Sequence, residues 1–122
     1  MSNITRNYEA DGATKAFRIA KFGSDDGQAK QASASSDALM GVFDELDHAS
    51  GERADVVRAG ACRVQLGGTV TRGDFLTADS DGKAVTAAPA AGDNASVIGR
   101  AEVSGKDGDI ISHVLAVGQI QG

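Results

Sequence analysis

The side chains able to do chemistry in this chain are few and poorly placed for it. One cysteine, Cys62, and two histidines, His48 and His113, are the candidates for nucleophile, general base or soft-metal ligand. Ser112 directly precedes His113. Neighbours along a strand point to opposite faces, so His113 cannot take the Ser112 proton. His113 is expected instead to pack at a subunit interface or barrel face. His48 belongs to the acidic loop Asp44-Glu45-Leu46-Asp47-His48, and no Cys-His pairing is legible from spacing, so Cys62 reads as a half-buried strand residue.

Two short motifs invite a functional reading and fail on residue type. Asp79-Ser80-Asp81-Gly82 looks like part of a calcium loop. With Gly82 at the sixth position, Thr77 falls at the first ligand and Ala88 at the twelfth, where carboxylates are required. A hairpin turn accounts for the same residues, since Asp and Gly tolerate its backbone angles. Arg72-Gly73-Asp74 spells an adhesion tripeptide, but its residue types also suit a turn between strands. The expectation is therefore no catalytic residue, no metal, no cofactor and no small-molecule substrate.

Composition narrows the class. The 122 residues fit one domain that buries roughly two-thirds of its unfolded surface. Four Phe, one Tyr and no Trp, beside sixteen Gly, leave a core poor in large side chains, so contacts with partners are expected to add stability. The net charge of -5, with scattered basic residues, argues against nucleic acid as a partner. No apolar run approaches the ~20 residues that span a bilayer, and MSNITRNYEADG lacks the apolar centre of a secretory signal. No membrane partner is expected, and the reading places the protein in the cytoplasm or in something assembled there. A lone cysteine, unable to form an intrachain disulfide, agrees with a reducing compartment.

Glycines punctuate the chain about every eight to twelve residues, with short apolar or β-branched runs between them, the pattern of an all-β fold. Strands are predicted at 16–22, 28–34, 54–58, 62–66, 75–78, 84–87, 97–103 and 109–120. Leu39, Val42, Phe43 and Leu46 fall at i, i+3, i+4 and i+7, which is helical spacing. An internal repeat argues the other way. Phe17 and Phe75, Gly41 and Gly99, and Gly60 and Gly118 each lie 58 positions apart (75 − 17, 99 − 41, 118 − 60), relating residues 17–60 to 75–118. Residues 39–43 then correspond to 97–101, where Val97 and Ile98 favour a strand, leaving at most a short helical turn after it. Two such units would pack into one small β-barrel or sandwich spanning residues 14–122, behind an extended polar arm at residues 1–13.

Several motifs in order carry a family resemblance: Gly68-Thr69-Val70-Thr71-Arg72-Gly73-Asp74, then Leu76-Thr77-Ala78-Asp79-Ser80-Asp81-Gly82-Lys83-Ala84-Val85, then Val97-Ile98-Gly99-Arg100-Ala101. The chain resembles the capsid cement, or head decoration, proteins of tailed bacteriophages. That resemblance implies a non-enzymatic virion protein on the outer capsid surface, assembled in the host cytoplasm. It further implies a homotrimer that bridges neighbouring major capsid subunits and stabilises the shell. Contact residues are expected at Ile4 and Tyr8 on the arm, which would add as a strand to a neighbour, and at His113 and Ile120. A β-module of a phage tail or other assembly is the alternative. A lipoyl- or biotinyl-like carrier is a weaker one, because Gly82 separates Lys83 from the Asp that should precede it.

Overall fold

The computed structural model describes residues 3–122 and contains nine strands and no helix among them. They are β1 (Ile4–Ala10), β2 (Ile19–Phe22), β3 (Gln28–Gln31), β4 (Leu39–Phe43), β5 (Arg53–Gln65), β6 (Phe75–Ala78), β7 (Ala84–Thr86), β8 (Asn94–Ala101) and β9 (Ile110–Gln121). The fold is all-β, as the glycine punctuation predicts.

Five strands close into a barrel. Strand β1 pairs in parallel with β3, β3 with β2, β2 with β4, β4 with β5, and β5 returns to β1. Closure removes the open edges that invite aggregation. Strand β5 then continues past Ala59 to pair with β9, which leads through β8 and β6 to β7. A parallel bridge between Leu66 and Ala84 joins the two ends of this second set.

The second set repeats the pairing of the first. The ladder Arg6↔Val56 and Tyr8↔Ala54 matches Cys62↔His113 and Val64↔Ile111. The parallel contact Ala10↔Ala29 matches Leu66↔Ala84, and Ala20↔Gly41 matches Leu76↔Gly99. Strand β5 is thus the last strand of one half and the first of the next. Phe17 and Phe75 do not occupy equivalent places, because Phe75 pairs with Arg100 as Ile19 pairs with Val42. Gly60 and Gly118 are likewise out of step, since Val57 and Val114 are the equivalent pair one register earlier.

The boundaries differ from the sequence expectation most in three places, beside shifts of one to three residues at the ends of β3, β7, β8 and β9. Residues 54–58 and 62–66 form one strand, for Gly60 sits inside β5 at φ 99° rather than ending it. The strand expected from residue 16 begins at Ile19, since Phe17 holds a left-handed φ of 61°. Residues 4–10, expected in a free arm, are barrel strand β1, and their edge pairing is made to β5 of the same chain. Most of β1 faces solvent, and only Ala10 is buried with Tyr8 and Glu9 half-buried, which gives the segment its polar look.

All five residues of β4 are buried. Met40 and Phe43 join Ala20, Ala29, Ala54 and Val56 inside the first barrel. Leu39 and Val42 face the other way, into a larger core with Val64, Leu66, Leu76 and Ile98. A strand apolar on both faces produces the spacing that imitates a helix. Leu46, the last member of the helical pattern, is 62% exposed. The halves are further joined by the β6–β7 turn, where the Asp81 carbonyl accepts from Arg18 Nη1 at 2.9 Å and Gln31 Nε2 at 2.8 Å.

Candidate functional site

The β5–β9 ladder places Cys62 and His113 directly opposite each other, a pairing that spacing alone did not reveal. Cys62 Sγ lies 3.8 Å from His113 Nδ1, and Nδ1–H donates to the Cys62 carbonyl at 3.1 Å. Nε2 is then a buried acceptor with no partner among the described residues. Burial pushes the Cys62 thiol up to about 11. Burial pulls the His113 imidazole down to about 4, outweighing the carbonyl bond that favours its charged form. At neutral pH both groups are uncharged, the opposite of a thiolate-imidazolium pair. His113 takes the place that Val56 holds in the first half, at 0% exposure, so of the two places expected for it, a subunit interface or a barrel face, it packs on the buried face of the ladder and is no interface contact. Ser112 is exposed on the opposite face.

The two motifs are turns. Asp79 Oδ1 accepts from the backbone N–H of Asp81 at 2.8 Å and of Lys83 at 2.9 Å, which occupies the oxygen a cation would need. Because the Asp81-Gly82 tip is docked on Arg18, Gln31 and Ile19, Lys83 is half-buried and not held out as a carrier lysine would be. In Arg72-Gly73-Asp74, Asp74 Oδ2 accepts from the Thr71 N–H at 2.9 Å and from Thr86 Oγ1 at 3.0 Å.

The expected contact residues separate. Ile4 is 59% exposed on β1. Tyr8 packs against the first core with its hydroxyl bound to Arg58 Nη1, and the Arg58 guanidinium lies 5.5 Å over the Phe22 ring. Phe22 is 53% exposed, so Tyr8, Arg58 and Phe22 form an aromatic-cation cluster open to solvent at one end of the first barrel. Neither Phe22 nor Arg58 was marked by the sequence, because their meeting depends on pairing between strands far apart in the chain. Ile120 is half-buried near the end of β9. On the same strand Val114 and Val117 are 36% and 49% exposed.

Among the depressions formed by the described residues, one of about 400 Å³ runs between the halves, bordered by Phe17, Glu45, Cys62 and Arg63, with Arg63 5.9 Å over the Phe17 ring. Another, of about 290 Å³, lies beside β6 and β7.

The chain matches no family model and no curated protein. Among solved structures it is similar to the N base of the head fiber gp8.5 of bacteriophage phi29. The TM-score is 0.70 at 20% identity, over 99% of this chain and 100% of that one. The likeness is one of fold, end to end, with a structural component of a phage head.

Proposed function

We propose that this chain is a structural protein of a phage virion, seated on the outer surface of the capsid and bridging neighbouring major capsid subunits as a homotrimer. The observation that carries the reading is the fold shared over the whole chain with a domain that serves as a head-fiber base. A partly exposed cluster of the kind that dominates protein interfaces supports it. Arginine and aromatic side chains in a cluster, as at Tyr8, Arg58 and Phe22, supply most of the binding energy in many interfaces. The contact is a surface and not a pocket, so affinity comes from area around these few side chains.

A second reading is favoured by the neighbour's description as the base of a head fiber: in it this chain anchors a longer appendage on the head and does not stabilise the shell. Both readings are tested by sedimenting the purified protein with heads that lack it and, in parallel, with isolated tails. Saturable co-sedimentation with heads alone supports a head protein, and a raised heat threshold of those heads separates the bridging role from simple anchorage. Co-sedimentation with tails alone would overturn both.

A further inference from the structure

The contact that joins the two halves has an unused copy on the surface of the molecule. The first half lays Ile19 of β2 and Leu39 and Val42 of β4 against the second half, in one core with Ala78 of β6 and Leu115 of β9. Strand β4 packs there on β8 and β9. The repeat supplies an equivalent for both sides of this contact. Phe75 pairs with Arg100 as Ile19 pairs with Val42, so Phe75 and Arg100 mark the same outward face on the second half. Phe22 pairs with Ala29 as Ala78 pairs with Ala84, and Arg58 follows Val57 as Leu115 follows Val114. Phe22 and Arg58 therefore mark, on the first half, the end that is covered in the second.

What the contact between the halves buries is open at these equivalents. Ile19 and Val42 are buried, whereas Phe75 is half-buried and Arg100 exposed. Ala78 is 3% exposed, whereas Phe22 is 53% exposed. Leu115 is buried, whereas Arg58 is half-buried. The residue types change in the same sense on both open faces. Aliphatic side chains of the inner contact give way to a ring stacked by a guanidinium, with Arg58 5.5 Å from the Phe22 ring and Arg100 3.8 Å from the Phe75 ring. Aromatic and arginine side chains are the types enriched in interfaces between chains. The two open faces do not meet within one chain, since both are accessible in it. A second copy presents the matching face to each. Such a head-to-tail contact closes into a ring when the rotation between successive copies divides a full turn.

Building on the homotrimer of the virion reading, we propose that the Phe75-Arg100 face of one copy docks on the Tyr8-Arg58-Phe22 end of the next. The contact between chains then repeats the one made inside each.

The purified protein, without heads, is expected to sediment at three times the protomer mass. Phe22→Ser and Arg100→Ser each disable one of the two faces. Both replaced side chains are exposed, so each variant should keep the amide spectrum of a folded protein. Each should stay monomeric at about ten times the concentration at which the wild type assembles. Mixing the two variants is the sharper test. Phe22→Ser retains the Arg100 face and Arg100→Ser retains the Phe22 end, so together they are expected to form one-to-one pairs. A wild type that is monomeric up to about 1 mM, single variants that assemble like it, or a mixture that stays monomeric would overturn the proposal. Assemblies larger than three that obey the mixing rule would keep the contact and sink the homotrimer. Assembled protein that ignores heads would keep the contact and sink the virion reading.

Discussion

Gly41 and Gly99 do the same work in the two halves. A side chain at Gly41 would strike the carbonyl oxygen of Val57, and one at Gly99 the carbonyl oxygen of Val114. Val57 and Val114 are themselves equivalent, each pairing with the residue after the glycine. The repeat is thus anchored by a steric requirement. Gly41→Ala is expected to lower the unfolding free energy by about 1–3 kcal/mol through overpacking. Gly99 also holds φ at 142°, so Gly99→Ala should lose a further 1–2 kcal/mol, roughly. Denaturant unfolding of both variants checks the order.

The buried His113 makes stability fall with acid. Its pKa is about 4 when folded against 6.5 ordinarily, so between those values the unfolded chain binds the extra proton. Stability is full above pH 6.5 and declines as pH falls to 4, by about 3 kcal/mol in all. Asp11 is held below the ordinary carboxyl value of 3.8 by its hydrogen bonds from Ser24, so its contribution is lost only below that window. Replacing His113 by Val, the residue type at the equivalent Val56, should flatten the profile between pH 4 and 6.5. Chemical unfolding across that range gives the slope.

Thr14 shows how the second half resolves a fault of the first. Its hydroxyl is buried at 1% exposure without a partner among the described residues, and its bridge to His48 corresponds to the bridge of Val70 to Gly105. Thr14→Val should stabilise the protein by about 1 kcal/mol, the desolvation penalty recovered. Head binding should not change, because Thr14 is buried.

Cys62 should be a slow thiol. With its pKa pushed to about 11 from 9.0, the thiolate fraction near pH 8 is about one-hundredth of an ordinary thiol's. Alkylation by iodoacetamide is expected to be slower by about that factor in the folded protein than in denaturant. Equal rates would mean the thiol is not desolvated.

The legible parts of the fold are those whose signal is local. Residues 75–78 and 39–43 match β6 and β4 to the residue, the first from β-favouring residues between glycines and the second because Gly41 and Gly99 align in the repeat. What failed depended on pairing at a distance. Strand β1 looked like a polar arm because its partners are backbone groups of β5, which the side chains of residues 4–10 do not advertise. Gly60 looked like a break because a glycine in an extended strand and a glycine in a turn read alike. For His113 the sequence left a subunit interface and a barrel face both open, and only its place in the ladder, that of a core valine, decides for the buried face. The Tyr8-Arg58-Phe22 cluster needed the strand register before it could be found.

The most direct test of the central claim is to image heads lacking the protein before and after saturation with it, by cryo-electron microscopy, while recording the temperature at which they break. The account predicts discrete density on the outer surface, at local threefold positions between capsid subunits, and a higher breaking temperature. Density confined to the tail, or heads unchanged in image and in heat resistance, would contradict it.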